Sequence, residues 1–269
     1  MALAELRYFS PALRKMTGAM VLLPEREDFQ GPFPVFYLLH GLSDDYTVWT
    51  RRTHIELYAQ NYPLIVVMPD GGRGFYTDAL EGYAYDSAIT RDLIPLIDRT
   101  FHTSARRESR VIGGLSMGGY GALRLALSHP DLFCGAVSHS GALGAGSRHS
   151  EPANQPSAQF QKLFQDNPLG EFRRLFGENP AGGPNDLQAL ANAVDRDLIP
   201  SLRFDCGTED PLLAENQAFH WYLQSLDIPH EYAEFPGAHQ WEYWDLHVQD
   251  AIAFHARVLG IKAQPPARS

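Results

Sequence analysis

The sequence predicts an α/β fold: a mostly parallel, eight-stranded sheet with helices on both faces and an inserted cap segment. Short apolar runs alternate with helical patterns along most of the chain. Several of those runs are apolar at every position, as in strands covered on both sides. The one long departure from the alternation falls between two of the runs, where an insertion belongs.

Leu6–Ser10 and Thr17–Leu23 read as antiparallel strands that open the sheet. Val35-Phe36-Tyr37-Leu38-Leu39 and Leu64-Ile65-Val66-Val67-Met68 are continuous apolar runs and predict buried parallel strands. Arg110–Leu115, Phe133–Ser138, Leu202–Cys206 and Glu231–Phe235 complete the set. Helical patterns fall between them at Thr53–Gln60, at Tyr85–Arg99 with a kink expected at Pro95, at Gly118–Ser128 and at Leu212–Leu226. The last, Gln240–Val258, repeats Trp241, Trp244, Val248, Ala251, Ile252 and His255 at helical spacing. Residues 1–269 are expected to form a single domain. Residues 144–197, rich in Gly, Pro, Asn, Gln and Ser, are expected to cap the strand ends, with a surface excursion as the alternative. Their amphipathic pieces are Phe160/Leu163/Phe164, Phe172/Leu175/Phe176 and Leu187/Leu190/Ala191/Val194.

Composition narrows the partners. With 22 Lys and Arg against 32 Asp and Glu, the formal charge is −10, which disfavours nucleic acid and anionic membranes. The apolar runs are too short for a membrane span, and no secretory signal is legible, so the expectation is a cytoplasmic protein acting on a small molecule. Self-association is left open. Cys134 and Cys206 lie in apolar runs and read as buried thiols rather than a disulfide. No His/Cys/Asp grouping has zinc spacing, and no G-x-G-x-x-G opens a helix after the first strand, so neither metal nor cofactor is implied.

The chemistry enters at Gly114-Leu115-Ser116-Met117-Gly118, between an apolar run and an Ala/Leu-rich helix. That is G-x-S-x-G in strand–turn–helix context, where a sharp turn lifts the serine hydroxyl above the strand ends. Such a serine needs a base in hydrogen-bond reach and an acid to orient the base, in chain order nucleophile, acid, base. Six of the eleven histidines precede the later strands, and His220, His247 and His255 fall in helical patterns. His230 stands at the wrong end of its strand. His239, in the loop after Glu231–Phe235, is left as the base. Asp210 closes the turn after Leu202–Cys206 and is the expected acid, a role compatible with capping the next helix. Glu209 is the runner-up. Asp205, inside the strand, is disfavoured because its side chain would point into a helix-covered face.

A developing oxyanion needs two backbone donors. The N–H of Met117 is one, and the loop His40-Gly41-Leu42-Ser43 supplies the other at Leu42. His40 is expected to brace that loop by hydrogen bonding. Gly71-Gly72-Arg73-Gly74 is expected to form a cleft wall, and His139 either lines the cleft or packs.

Together with Leu39-His40-Gly41-Leu42-Ser43, Met68-Pro69-Asp70-Gly71-Gly72, Gly74-Phe75-Tyr76-Thr77-Asp78, Cys206-Gly207-Thr208-Glu209-Asp210 and Pro236-Gly237-Ala238-His239-Gln240-Trp241, the serine motif resembles the esterase D family. The bacterial tributyrin-esterase-like branch is nearest. The resemblance implies an α/β-hydrolase fold and a serine carboxylesterase cleaving short-acyl esters through an acyl-serine. It places the triad on Ser116, Asp210 and His239 and the oxyanion donors on Leu42 and Met117, and Trp49 stands where relatives often have a tryptophan after the oxyanion loop. Trp49, Tyr76 and His139 are the residues expected to shape the cleft and contact substrate. Feruloyl, acetyl-xylan and S-formylglutathione hydrolysis are alternatives, and so is acyl transfer on the same scaffold. The thioesterase relatives usually carry Thr-Cys in the oxyanion loop where this chain has Ser43-Asp44-Asp45, which counts against that alternative.

Overall fold

The computed structural model describes residues 1–147 and 168–264. Its centre is one eight-stranded sheet in the order β1-β2-β4-β3-β5-β6-β7-β8. The strands are β1 (Ala2–Ser10), β2 (Lys15–Leu23), β3 (Val35–Leu39), β4 (Ile65–Pro69), β5 (Arg110–Leu115), β6 (Gly135–His139), β7 (Ser201–Gly207) and β8 (His230–Phe235). β1 and β2 form an antiparallel hairpin, β2 joins β4 antiparallel, and all later pairings are parallel.

The continuous apolar runs are explained by two cores. On β3, Val35, Tyr37 and Leu39 point to one face while Phe36 and Leu38 point to the other, as strand alternation requires. The first face is covered by α5 (Met117–Ser128) and by the segment Tyr85–Thr100. Val48 and Trp49 of α1 (Val48–Arg52), Ile55 and Ala59 of α2 (Ile55–Ala59), and the long α9 (Trp241–Leu259) cover the second. α9 stops at Gly260, whose left-handed φ of 66° is the usual helix C-cap geometry. No helix among the described residues is long and apolar enough to cross a membrane.

Two helices differ from expectation. The chain already turns helical at Val48, ahead of the single Thr53–Gln60 helix; Val48, Thr50 and Thr53 are β-branched and hide the pattern, while burial of Val48 and Trp49 drives the turn. The segment expected to kink at Pro95 is α3 (Tyr85–Ser87), a π-helical stretch Ala88–Leu93, then α4 (Ile94–Thr100) with proline in its first turn. Pro95 has no N–H to give residue 91, so the helix absorbs the missing bond by widening before it.

Within the insertion, α6 (Pro168–Phe176) and α7 (Leu187–Ala193) carry the second and third expected amphipathic pieces. Phe172, Leu175, Phe176, Leu187, Ala191 and Val194 are buried, and Leu190 packs partly buried beside them. The first piece, Phe160/Leu163/Phe164, lies outside the described residues. Asn185 pins the end of the insertion: its Oδ1 accepts from Thr77 Oγ1 and Arg124 Nε, both at 2.7 Å, and its carbonyl accepts from Tyr120 at 2.7 Å.

His255 on α9 is fully buried beside the Phe36 ring. Burial holds its imidazole neutral, with the pKa pushed down to about 3. The unfolded chain therefore takes up a proton below about pH 6.5 that the folded one refuses, so stability falls with pH by about 1 kcal/mol per unit until the folded value is reached. Urea unfolding of wild type and His255→Gln at pH 7 and pH 5 checks this. The variant is expected to lose less stability over that interval, and equal losses would count against the assignment.

Candidate active site

β5 ends in the turn that carries Ser116, and the backbone there is forced. Ser116 has φ 54° and ψ −115°, a conformation L-residues rarely adopt outside functional turns. Its amide donates to His139 O at 2.9 Å, and its carbonyl accepts from Tyr120 N–H at 3.1 Å and Ala142 N–H at 3.0 Å. A Cβ on Gly114 would lie 2.7 Å from the carbonyl oxygens of Gly118 and Leu39, and one on Gly118 would lie 2.6 Å from the carbonyl oxygens of His40 and Leu39. Both glycines of the motif are thus required by backbone contact.

Three parallel strands bring the other partners to the same sheet edge. His239 follows β8 and Asp210 follows β7. The imidazole Nε2 stands 3.0 Å from Ser116 Oγ, and Nδ1 stands 2.9 Å from Asp210 Oδ2. A carboxylate only accepts, so Nδ1 carries the hydrogen and the Nε2 lone pair faces the serine hydroxyl. The Asp210 side chain is fully buried, and its other oxygen accepts from Leu212 N–H at 2.8 Å. Orienting the imidazole and holding the turn before α8 (Leu213–Ser225) therefore fall to different oxygens. Glu209 is exposed.

Met117 is the first residue of α5, so its N–H has no acceptor within the helix. Across the cleft, the Leu42 loop is braced by His40. That ring donates from Nδ1 to Gly41 O at 2.7 Å and accepts at Nε2 from Gly71 N–H at 2.8 Å, as the sequence suggested. Ser43, in the left-handed region at φ 71°, is reached by Arg73 Nη1 at 3.1 Å. Arg73 also makes a two-pronged ion pair with Glu171 of α6 at 2.7 and 2.8 Å, tying the insertion to this loop.

A serine hydroxyl on a strained turn, a buried carboxylate–imidazole pair and backbone donors beside it form the arrangement of an acyl-transferring serine. The comparisons agree. The model of the family described as "Putative esterase" matches residues 10–255. The chain belongs to that family. It is 28% identical over 275 residues to an acetyl esterase of Caldicellulosiruptor saccharolyticus, covering 96% of this chain and 99% of that protein. In structure it is similar to a substrate-bound fluorophosphonate-binding serine hydrolase F of Staphylococcus aureus, with TM-score 0.79, 30% identity, and coverage of 94% and 98% of the two chains. An S-formylglutathione hydrolase of the same organism gives TM-score 0.77 at 29% identity, covering 94% of this chain and 98% of its own. The fold is that of the α/β-hydrolases, and the protein is an enzyme, a serine esterase.

The cleft of this esterase has a volume of about 430 Å³ and is lined on one side by Gly41, Leu42, Asp44 and Arg52, on the other by Gln240, Trp241, Glu242 and Trp244. Leu115, Ser116 and His239 complete the lining. None of the described insertion residues contributes to it. Asp44 is partly buried, and that burial raises its pKa above the ordinary carboxylate value.

The three residues expected to touch substrate stand behind this surface, each 0% exposed. Trp49 donates from Nε1 to Leu39 O at 3.1 Å and packs edge-on against Trp241, which with Trp244 reaches the cleft in its stead. Tyr76 donates to His40 O at 3.0 Å and covers Gly71 and Gly121. The His139 ring turns away to Asp205. Gly71–Gly74, expected as a wall, likewise backs the His40 loop. Trp241 and Trp244 were legible as helical positions but not as cleft residues, because only the tertiary packing of the first turn of α9 against the His239 loop exposes them.

Gly118→Ala sets two effects against each other. Alanine favours a helix by about 1 kcal/mol over glycine, but its Cβ meets two carbonyl oxygens at 2.6 Å. The clash wins, because both oxygens belong to strand-end backbone. The variant is expected to lose roughly 3 kcal/mol of stability in urea titration; an unchanged midpoint would contradict this packing.

Among the described residues no group of three or more His, Cys, Asp or Glu is placed to hold a metal ion.

Proposed function

We propose that Ser116, His239 and Asp210 are the catalytic triad of a carboxylesterase specific for short acyl groups, working in a single-domain chain whose insertion buttresses the oxyanion loop. The observation that carries the reading is the imidazole of His239, held between Asp210 at 2.9 Å and Ser116 at 3.0 Å above a strained turn. His239 takes the Ser116 proton as Oγ attacks the ester carbonyl, and the N–H groups of Leu42 and Met117 receive the oxyanion. The proton passes to the departing alcohol, leaving the acyl group on Ser116. Water then enters with His239 as base, releasing the acid.

Short acyl groups are favoured by the modest cleft, lined in part by Trp241 and Trp244, and by the acetyl esterase similarity. A matched series of acetyl, butyryl and octanoyl p-nitrophenyl esters, with methyl ferulate and S-formylglutathione, tests the choice. kcat/KM is expected to be highest on the acetyl or butyryl ester, and a maximum on the octanoyl ester would overturn it. Thioester hydrolysis is the second reading, favoured by the staphylococcal S-formylglutathione hydrolase. Asp44 and Glu242 against one Arg52 make the cleft a poor host for the carboxylates of glutathione. Acyl transfer to an added alcohol would show as ester product exceeding free acid. A cytoplasmic setting is in keeping with the two buried free thiols, Cys134 and Cys206.

A further inference from the structure

Behind the triad lies a second His–Asp pair that the mechanism above does not use. Asp205 and His139 are both 0% exposed, and Nδ1 of His139 stands 2.9 and 3.0 Å from the two oxygens of Asp205. Tyr243 donates its hydroxyl to Asp205 Oδ1 at 2.9 Å. Two donors thus converge on one carboxylate that water does not reach. The carboxylate meets the His139 donor with both oxygens and the Tyr243 donor with one, whereas an amide in its place sets an N–H₂ group against one of them.

The three residues stand behind the segments that carry the reaction. The main-chain oxygen of His139 holds the amide of Ser116 at 2.9 Å, so the end of β6 fixes the nucleophile's turn. Asp205 lies on β7, five residues before Asp210, and its own carbonyl accepts from Ser140 N–H at 2.8 Å. Tyr243 sits in the first turn of α9, four residues after His239. Its ring packs under Gly237 of the His239 loop, where φ is 143° and a Cβ would come within 2.7 Å of the ring.

We propose that Asp205 is a positioning residue for the reaction: its buried carboxylate ties the strand end that holds Ser116 to the helix start that props the His239 loop. Ser116 and His239 come from chain segments more than a hundred residues apart, and their 3.0 Å contact depends on those two supports keeping register. The proposal rests on the triad reading. Asp205 touches neither substrate nor reacting atoms; it acts through His139 and Tyr243.

The test compares Asp205→Asn, Tyr243→Phe, the double variant and Ser116→Ala on p-nitrophenyl acetate. kcat, KM, thermal unfolding and the rate of fluorophosphonate labelling are measured for each. Asp205→Asn turns an amide N–H₂ toward one of the two donors. It is expected to lower kcat about a hundredfold, the scale of a small misplacement of reacting groups. KM should stay within about twofold, since ground-state binding is untouched. Labelling should slow in step with kcat, because it uses the same serine and base. Tyr243→Phe keeps the ring under Gly237 and loses one hydrogen bond to a charged group, for roughly a tenfold fall. The double variant should be no slower than Asp205→Asn, since both changes break one network. A merely structural role would lower the unfolding temperature while leaving kcat and labelling of the folded protein at wild-type values, and that result overturns the proposal. If Asp205→Asn does not fold, wild-type kcat in Tyr243→Phe overturns it equally. Activity retained in Ser116→Ala would sink the triad reading itself, a separate and recognisable failure.

Discussion

Ser116→Ala is expected to lower kcat by roughly a millionfold on short esters, the scale seen when a serine nucleophile is removed from a triad. The substitution removes one oxygen and leaves everything around it. Ser116 sits at φ 54° already, so alanine inherits the same strain and adds no clash. His239 keeps its bond to Asp210, and the amides of Leu42 and Met117 keep their places. Thermal unfolding should therefore be unchanged within about 0.5 kcal/mol, and substrate should still bind. Steady-state kinetics together with a melting curve check both halves. A variant that melts normally and turns over at the wild-type rate would remove Ser116 from the mechanism.

Asp210→Asn is the second large effect, with kcat expected to fall about ten-thousandfold and KM little changed. The buried carboxylate accepts at both oxygens, from His239 Nδ1 and from Leu212 N–H. Asparagine has one acceptor oxygen and can accept from only one of them. With its oxygen toward His239, its N–H₂ group faces the Leu212 amide, donor against donor. With its N–H₂ group toward His239, the imidazole must take the other tautomer, and Nε2 then presents a hydrogen to Ser116 where a lone pair is needed. The second arrangement makes both contacts where the first sets two donors together, so it is favoured, and it disables the base. Glu209→Gln is the paired control: Glu209 is exposed one residue away, and its kcat should stay near wild type. Equal losses in the two variants would mean that the acid has been misassigned.

The site was legible in the sequence wherever chemistry fixes the order of elements. Gly114 and Gly118 announce themselves because backbone contacts leave no room for a Cβ, and Ser116 because it stands between them. His239 and Asp210 follow because a parallel sheet brings every loop after a strand to one edge. The strands were legible because β3 to β6 are buried along their whole length. Failures came where tertiary packing decides. Trp49, Tyr76 and His139 lie beside cleft motifs in sequence, yet each turns its ring into the protein to satisfy a backbone or carboxylate partner. Trp241 reads as one more apolar position of a helix, and only its place after the His239 loop brings it to the cleft. Asp205 was set aside as the triad acid because a side chain inside the strand would point into a helix-covered face. Its meeting with His139 and Tyr243 joins residues of β7, β6 and α9, and no spacing within any one segment encodes that contact.

Acylation of Ser116 is tested most directly by rapid-quench mass spectrometry of the wild-type enzyme mixed with p-nitrophenyl acetate, followed by peptide mapping. One acetyl group per chain is expected, formed during the first turnover and located on Ser116. Steady release of p-nitrophenol with no acetylated chain, or with the acetyl group on another residue, would contradict it.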